Sequence, residues 1–576
     1  MKAQKFTLSL IALSVASSFA AHAAIYDVVE ADTTLLSSAS PQIVLGTDYE
    51  STFGVAIASG SGNCFSTSCT SSSYDMAVET RIQGTQAGQP VDGFGYRDEA
   101  LFAMDNAFVY AQTQSDFDSY CNAQLLYTDT ICDSWSAAFW TEWYRELNGD
   151  STVNSYAYVE NGSLISSTDN VVINDLVGST PTAVGIDYTT GSSSARRSGT
   201  SFSSVTAPTV TDGGTRAYVD TGTYTAGSIT RNYSGTYYYS SKPALWISAS
   251  EYVELPWESG VSEYESGSDR LAQGAIKGLA VVSDVIYGVG YNTWDGDENY
   301  LNATVFSVDI SSDSNAYQSE GNWSSKKVSN AQVEISGDYT YSNTTFTAVN
   351  DNLVAIGEAK LAGSNPQNGA AANRLFVVDD ISASSLSATF FSDSVGFSGA
   401  GGHANAINNY NEIVGQIDVE QTRENGGKPR AKRGFIYPYD GTGTDSSRRT
   451  DVFNNKAWLL DDLTNDGSTT VGGNNDYRIL SANDINDAGV IAATAFKCST
   501  GYETTEYDAD CSGSESVVAV KLVPIAGTTS SNIVSRSYKS TAVERQGAGS
   551  GIFVLLGLAL TAFSRKKSLF FVKSGR

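Results

Sequence analysis

Histidine is nearly absent from this chain, which has only His22 and His403 in 576 residues. A zinc site built from several histidines is therefore excluded. A Ser-His-Asp triad would have to use His403, because His22 falls in a segment that we expect to be removed. His403 directly follows a glycine-rich stretch, residues 399–402, and is predicted to be a loop histidine near one face of the fold.

Positive charge is also scarce, with 35 Lys and Arg against 63 Asp and Glu, and the net charge is −28 at pH 7. A surface this acidic repels nucleic acid and anionic lipid, so neither is predicted as a partner of the main body. Such a charge keeps an exported protein soluble and would attract divalent cations. Most surface carboxylates take part in no chemistry, so a plainly solvated surface is the simpler interpretation.

Runs of Ala, Leu, Glu and Lys at helical spacing are nearly missing, and no phosphate-binding loop or dinucleotide fingerprint is present. The 53 glycines and 32 tyrosines, with many Ser, Thr and Asn residues, favour strands joined by turns. The strongest helix candidate is residues 136–147, where Trp140, Trp143 and Tyr144 recur at spacings of three and four. The composition as a whole predicts an all-β fold.

Long apolar runs occur at the two ends. At the N-terminus, Lys2 and Lys5 precede an apolar run over residues 6–20, and Ala-His-Ala at 21–23 forms a small-x-small cleavage site. Residues 1–23 are therefore predicted to be a secretory signal peptide, with a mature chain that begins near Ala24. A retained membrane anchor is the alternative, although the run is short for a span of about 20 residues.

At the C-terminus, residues 551–563 form a second apolar run that is also short for a full span. Glycines precede this run and basic residues follow it, namely Gly547, Gly549, Gly551, Arg565, Lys566 and Lys567. Basic residues after an apolar run keep that end cytoplasmic, which is consistent with a body already exported. The sequence thus divides into the signal peptide, a repeat domain over residues 24–545 and a C-terminal sorting or anchor segment over residues 547–576.

This C-terminal arrangement resembles the Gly-Gly sorting tail of some Gram-negative exported proteins. The resemblance implies that a rhomboid-type intramembrane protease removes the tail and that the protein passes through the periplasm to the cell surface or the medium. Before processing, the tail would hold the chain in the inner membrane. Two departures from the pattern are Gly-Ala-Gly-Ser at 547–550 in place of a Gly-Gly pair and the extension 568–576. A plain C-terminal anchor is the alternative.

Six cysteines fall into three close pairs: Cys64 with Cys69, Cys121 with Cys132, and Cys498 with Cys511. An even number in an exported chain indicates disulfides, and the spacing favours these three local bridges. Loops this small gain about 2–3 kcal/mol each, so the bridges are predicted to pin loops rather than to hold the fold together. A metal site is the rival interpretation, but no Cys-x-x-Cys motif is present.

The main body is organised around a repeated hairpin. Residues 404–415 consist of a short apolar run, an Asn-rich turn and a second apolar run, and an apolar strand follows at 433–437. The same pair recurs, with hairpins at 182–187, 278–288, 347–357 and 482–493 and closing strands at 242–248, 303–308, 374–379 and 517–522. Equivalent small residues are predicted at Gly185, Gly288, Gly357, Gly415 and Ala493. The segment 190–240 is predicted to be an insertion, either a long hairpin or a loop.

Such units cannot bury their own faces and must stack on their neighbours. Their irregular spacing favours a ring, a β-propeller, over an open solenoid, because propeller insertions leave at the blade edges. Five clear units and one or two degraded ones before residue 160 predict six blades, with seven as the alternative. Residues 26–30 are expected to close the ring by pairing with residues 517–523.

The hairpin pattern at 404–437 and 482–522 resembles the HAF extracellular repeat. Together with the start at residues 25–30, it is similar to an uncharacterised, domain-of-unknown-function family of exported gammaproteobacterial proteins that carry this repeat. The resemblance implies an exported, propeller-like protein with no known activity and no catalytic residues to transfer. The histidine for which the repeat is named is missing from the closing strands here.

Calcium is the one ion that the sequence suggests. The acidic turn with Asp295, Asp297 and Asn299 is the best candidate, and the turn at residues 465–467 is the next. Neither turn completes a twelve-residue loop with its closing Glu. Ordinary polar turns are the simpler interpretation, and no other cofactor is predicted.

Three functional hypotheses remain. The first is a non-enzymatic surface or secreted protein that uses its loops to bind an extracellular protein or glycan. The second is an extracellular glycoside hydrolase that uses carboxylates near the propeller axis, although the sequence cannot select a pair among 63 acidic residues. The third is a structural component of the envelope. Membrane contact is expected only through the C-terminal tail before processing.

Overall fold

Seven antiparallel sheets are arranged as the blades of a β-propeller in the computed structural model, so the all-β propeller prediction is confirmed. The parts of the chain that the structure describes are residues 24–39, 50–82, 84–86, 89–91, 113–122, 128–134, 136–137, 148–149, 151, 153, 155–178, 180–191, 199–234, 238–265, 270–296, 298–335, 338–361, 373–392, 395–421 and 430–538. The predicted helix at 136–147 lies almost wholly outside these ranges.

Strands within each blade follow one another outward from the axis. Blade 1 contains β2 (Glu50–Ile57), β3 (Met76–Ile82) and, after a hairpin of β4 (Gly84–Gln86) and β5 (Gln89–Val91), β6 (Ser155–Val159); blade 2 contains β7 (Asn170–Val177), β8 (Thr182–Tyr188) and β9 (Thr200–Phe202); blade 3 contains β10 (Gly213–Asp220), β11 (Thr225–Ser234), β12 (Tyr238–Trp246) and β13 (Tyr252–Glu254). A hairpin of β14 (Tyr264–Glu265) and β15 (Arg270–Leu271) leads into the next blade.

The remaining blades repeat this order with two exceptions: in blade 5 the short strand Val333–Ile335 pairs with the start of the inner strand, and in blade 7 the outermost strand is Tyr26–Glu30. Blade 4 contains β16 (Ala275–Val282), β17 (Val285–Thr293), β18 (Leu301–Asp309) and β19 (Ser324–Lys327); blade 5 contains β20 (Val333–Ile335), β21 (Asp338–Val349), β22 (Ala355–Leu361), β23 (Asn373–Val378) and β24 (Thr389–Phe390); blade 6 contains β25 (Gly402–Ile407), β26 (Glu412–Asp418), β27 (Lys432–Pro438) and β28 (Trp458–Leu459); blade 7 contains β29 (Tyr477–Ile485), β30 (Ile491–Cys498), β31 (Glu515–Pro524) and β1 (Tyr26–Glu30). The inner strands β2, β7, β10, β16, β21, β25 and β29 surround a central channel, and β29 contacts β2 to complete the ring.

The blade count is seven, the alternative rather than the preferred prediction of six. The predicted unit from 182–187 to 242–248 was wrong, because it joins two blades: residues 182–188 are the second strand of blade 2, and residues 238–246 are the third strand of blade 3. The inner two strands of blade 3, Gly213–Asp220 and Thr225–Ser234, lie inside the segment that was predicted to be an insertion.

Ring closure occurs as predicted. Strand β1, from the start of the chain, pairs antiparallel with β31 of blade 7, with Tyr26 opposite Pro524 and Glu30 opposite Val520. Tyr26 is fully buried, and the preceding Ile25 is buried as well. The N-terminal strand therefore supplies the outermost strand of the last blade.

Helices are few and short. They include α-helices at Thr34–Ala39, Gln114–Tyr120, Ser446–Phe453 and Leu460–Leu463 and 3-10 turns at Ser71–Ser73, Ala316–Gln318, Glu320–Asn322, Asn474–Asp476 and Ser530–Asn532, and residues 129–134 are helical as well. Asp445 caps the start of Ser446–Phe453 by accepting hydrogen bonds from the backbone N–H groups of Ser447 and Arg448. The left-handed residue Asn454 ends this helix. No helix among the described residues is long and apolar enough to cross a membrane.

The structure contains the three disulfides Cys64–Cys69, Cys121–Cys132 and Cys498–Cys511. The disulfides were predicted only to fix loops. The loop that carries Cys64–Cys69 also connects blade 1 to blades 6 and 7. Its Phe65 ring packs edge-on between the rings of Tyr26 (5.5 Å) and Phe453 (5.6 Å). The Cys64 N–H donates to the carbonyl oxygen of Ala488 in blade 7. This disulfide loop therefore braces the ring beside the closing strand.

Candidate functional site

Each of the seven inner strands has a β-bulge at the same level of the channel. At this level the pairing of every inner strand with its outer neighbour skips one residue, and the skipped residues are Val55, Asn174, Tyr218, Lys277, Thr347, Asn405 and Asn483. A bulge frees its extra residue from the ladder and re-aims the side chain. We call these seven residues the bulge ring.

The bulge ring lines the channel and links the blades. The carbonyl oxygen of His403 points at Gly415 of β26. Because successive carbonyls along a strand point in opposite directions, the carbonyl of Ala404 points toward the axis. Carbonyls at this free inner edge have no partner strand and need another donor. Four bulge side chains donate a hydrogen bond to a backbone carbonyl oxygen of the next blade. The pairs are Asn174 with Ala217 (2.7 Å), Thr347 with Ala404 (2.5 Å), Asn405 with Ala482 (2.9 Å) and Asn483 with Gly54 (2.6 Å).

Two carboxylates follow the bulge directly, Asp175 in blade 2 and Asp484 in blade 7. Asp484 accepts hydrogen bonds from the N–H groups of Ile57 in blade 1 and of Ile485, both at 2.8 Å. Asp175 accepts from Asp220 in blade 3 (3.1 Å) and from Leu176 (2.7 Å). Burial raises the pKa of Asp175 to about 6, and burial together with the charge of Asp175 raises the pKa of Asp484 to about 7. The sequence hypotheses did not single out either residue.

Lys277 is the one charged member of the bulge ring. Its ammonium lies 5.6 Å from the ring centre of Tyr218, the bulge residue of blade 3, and 5.9 Å from that of Tyr291 on β17. The guanidinium of Arg216, two residues before Tyr218, lies 5.4 Å from the ring centre of Tyr239. This part of the channel wall therefore combines two cations with several tyrosine rings.

A second set of links joins the turns where the inner strands end. The side-chain amide of Asn350 donates to the carbonyl oxygen of Asn408 (2.8 Å), Asn408 donates to that of Asn486 (3.1 Å), and Asn486 donates to that of Ala58 (2.9 Å). The Asn residues of the repeated hairpin thus connect blades 5, 6, 7 and 1 in sequence. These hydrogen bonds give the Asn-rich motif a structural role in joining the blades.

His403 lies on the inner strand β25 and not in a loop, so this prediction was wrong. Its Nδ1 lies 2.8 Å from Oε2 of the buried Glu358 on β22. The amide of Asn373 reaches the same Glu358 oxygen at 3.4 Å. Within the described ranges, Glu358 is the one side chain that bonds to His403, so no nucleophilic hydroxyl is aligned with it as a triad would require.

The predicted calcium turn is only partly described. Asp295 is exposed, Asp297 lies outside the described residues, and Asn299 is buried. The Asn299 amide donates to the carbonyl oxygens of Ser262 and Arg270, both at 3.0 Å, and so joins two loops. Among described residues, no group of three or more His, Cys, Asp or Glu side chains is placed to hold a metal ion. Calcium binding stays a prediction.

A lobe projects beside blade 3. The ends of β11 and β12 extend beyond the start of β10, and the hairpin of β14 and β15 packs against them through a hydrogen bond from Ser240 to Glu263 (2.6 Å). The rings of Tyr233 on β11 and Tyr264 on β14 stack with their centres 5.6 Å apart. Tyr233 is 44% exposed. We call this feature the tyrosine lobe.

The sorting-tail residues Gly547, Gly549, Gly551, Arg565, Lys566 and Lys567 lie outside the described residues, as does the signal segment 1–23. The described chain reaches residue 538. Its last part is anchored by Arg536, whose backbone N–H donates to Asp462 (2.7 Å) and whose side chain donates to the carbonyl oxygen of Asp461 (2.6 Å). The C-terminal segment is thus attached to the propeller before the tail begins.

Comparison with protein families identifies relatives of this chain. The model of a family described as "Protein of unknown function (DUF3466)" matches residues 264–566, just over half of the chain. A comparison with curated proteins found no match.

Proposed function

The chain belongs to this family of unknown function, and we propose that it is a non-enzymatic binding protein, exported to the cell surface or the medium, where it recognises a glycan or protein. The tyrosine lobe is the observation that carries the proposal. Tyr233 presents a large, exposed aromatic face, and Tyr264 holds its ring in place by stacking. Aromatic side chains of this kind supply contact area at low entropic cost and are enriched at recognition surfaces.

The rest of the propeller supports a binding role through rigidity. The bulge ring and the turn links join neighbouring blades by side-chain hydrogen bonds, and β1 closes the ring. A rigid scaffold that presents a projecting lobe loses little entropy when it binds a partner. The net charge of −28 disfavours nucleic acid and anionic lipid, which leaves neutral glycans and proteins as partners.

The proposal that the protein is exported rests on the two ends of the chain and on the cysteines. Three disulfides indicate an oxidising compartment. The signal peptide predicted at 1–23 would direct the chain there. The family match extends to residue 566 and so includes the apolar run of the predicted sorting tail. We infer that the tail is cleaved near residue 550 once the propeller has crossed the inner membrane, and mass spectrometry of surface-released protein would then find no peptide beyond that point.

The binding proposal is tested with a glycan array and a pull-down from the cell exterior. We expect the Tyr233→Ala variant to lose most of the captured ligand, because it removes the exposed ring. Tyr252→Ala is the matched control, since Tyr252 is 39% exposed in the same blade but lies on β13. Equal loss in both variants, or no loss in either, would contradict a role for the tyrosine lobe.

Glycoside hydrolysis is the second candidate, and one observation favours it. Asp175 and Asp484 interact electrostatically near the axis, and burial raises the pKa of each toward neutrality, as a general acid requires. Both oxygens of each carboxylate accept backbone hydrogen bonds, which suits a link between blades at least as well. Release of reducing ends from extracellular polysaccharide by the wild type, but not by Asp484→Asn, would establish this activity instead of binding alone.

A further inference from the structure

Several buried cations in this acidic protein are paired with carboxylates. Arg430 lies 3.4 Å from Asp418, Arg448 lies 2.7 Å from Glu412, and Lys521 lies 2.6 Å from Glu160. Such pairing offsets the cost of removing a charge from water. A half-buried lysine without a carboxylate partner lacks this compensation.

Lys277 is such a lysine. It is partly buried on the channel wall, and its contacts in the described part of the chain are the faces of Tyr218 and Tyr291. No described carboxylate forms an ion pair with it. No hydrogen bond joins its ammonium to another described residue, so its three N–H donors can serve a ligand.

Neighbouring groups strengthen the positive field at this point. Arg216 is buried on the adjacent inner strand, and both Tyr218 and Tyr291 lie close enough to act on its charge. Burial lowers the pKa of Arg216, which reflects the loss of hydration around the guanidinium. An anion placed beside Lys277 would meet its ammonium in a partly desolvated setting, where the attraction is stronger than in water.

We propose that Lys277 binds the carboxylate of a small organic acid inside the channel, with the partly exposed ring of Tyr218 packing against its carbon skeleton. The Lys277 ammonium provides the charge-assisted hydrogen bonds. The Tyr218 face provides apolar contact for the carbon atoms of the ligand. This site is separate from the tyrosine lobe and does not depend on the proposed function.

The channel also selects the charge of the ligand. Asp175 and Asp484 follow the bulge directly in blades 2 and 7, so they lie close to the level of Lys277. Burial raises the pKa of Asp175 to about 6 and that of Asp484 to about 7, so both carboxyls are ionised above pH 7. Under that condition a dianion such as phosphate meets more repulsion from them than a monocarboxylate does.

The test is calorimetric titration of the full propeller with D-glucuronate, D-glucose and inorganic phosphate. D-glucuronate is the charged probe, and D-glucose has the same type of ring without the carboxylate. We expect saturable binding of glucuronate alone and a loss of about tenfold or more in Lys277→Met, from the missing charged hydrogen bonds. Lys242→Met is the matched control, because Lys242 also lies over an aromatic ring (Trp257, 4.9 Å) but on β12.

A second measurement on the wild-type protein removes any dependence on the folding of variants. Lysine acetylation followed by mass spectrometry should show Lys277 protected by glucuronate and Lys242 labelled equally with and without it. The proposal is overturned if glucuronate fails to bind, if glucose or phosphate binds equally well, or if Lys277→Met binds as the wild type does. Unchanged labelling of Lys277 in the presence of bound glucuronate would overturn it too.

Discussion

Asn408 donates its side-chain amide to the backbone carbonyl of Asn486, the residue at the same position of the next blade, at 3.1 Å. Its side-chain oxygen accepts from the N–H groups of Tyr410 and Glu412 within its own turn, both at 3.0 Å. One residue therefore fixes its own hairpin and joins it to the next. This double use explains why the repeated hairpin carries Asn at this position rather than any other turn-forming residue.

Replacing Asn408 with Ala should weaken the ring. Asn408 is 4% exposed, and its removal leaves several buried backbone groups without partners. We expect a loss of about 2–3 kcal/mol in the free energy of unfolding, measured by chemical denaturation. The exposed Asn315→Ala variant is the control and should unfold like the wild type. Equal stability of the two variants would show that the turn links do not hold the blades together.

Deleting residues 25–30 should destabilise the protein strongly. This change removes the buried Ile25 and Tyr26 and exposes the edge of β31, which would then be open to pairing with another chain. We expect a much lower melting temperature and concentration-dependent association in light scattering. A chain that lacks only residues 1–23 is the control. If the deletion leaves the melting temperature unchanged, closure through β1 contributes nothing.

The double variant Cys64→Ser and Cys69→Ser should be less stable than the wild type by about 2–3 kcal/mol, because the small loop gains conformational freedom when unfolded. Loosening of Phe65 would add to this, since its ring fills the space between Tyr26 and Phe453. The corresponding Cys498→Ser and Cys511→Ser variant is the comparison. Thermal melting of both should show the larger effect at Cys64–Cys69, and the reverse order would contradict its role in ring closure.

Sequence reasoning identified the blades whose turns carry the Asn motif. The hairpins at 404–415 and 482–493 coincide with the inner two strands of blades 6 and 7. Blade 3 was missed because its inner hairpin turns through residues 221–224, where Gly222 has a positive φ of 82° and no Asn motif occurs. Its strands are rich in Ser, Thr, Gly and Tyr, a composition that loops share.

A similar ambiguity affected the glycine positions. Gly288 was predicted to be equivalent to Gly357 and Gly415, but Gly290 occupies that position opposite the residue before the bulge, Ile276. A Cβ atom at Gly290 would come within 2.1 Å of the Ala275 carbonyl oxygen, so the backbone approaches too closely for a side chain. Both glycines point to the same face of the strand, and only the pairing register distinguishes them.

The channel residues could not be predicted for a different reason. A bulge adds one residue to a strand and leaves no compositional mark, so Asn405 and Asn483 resemble ordinary strand residues in the sequence. Asp175 and Asp484 are two among 63 acidic residues. Their significance comes from pairing and burial across blades, which depend on contacts between residues far apart in the chain.

Asp484 should make the protein less stable as the pH rises. Burial and the neighbouring charge of Asp175 raise its pKa to about 7 in the folded state, above the ordinary value of 3.8 that applies when the chain is unfolded. Between these values the folded state holds a proton that the unfolded state releases. The stability that this group contributes is therefore fully present below about pH 4 and is lost as the pH rises through 7.

The Asp484→Asn variant separates this contribution from all others, because it stays neutral at every pH. The groups that face Asp484 are the N–H donors of Ile57 and Ile485 and the carboxylate of Asp175. We expect the difference in melting temperature between variant and wild type to grow in favour of the variant from pH 5 to pH 8. Asp309→Asn is the control, since hydrogen bonds from Ser311 lower the pKa of this exposed carboxyl. A constant difference across this range would mean that Asp484 is already ionised at pH 5 and that its enclosure between the blades costs less than burial implies.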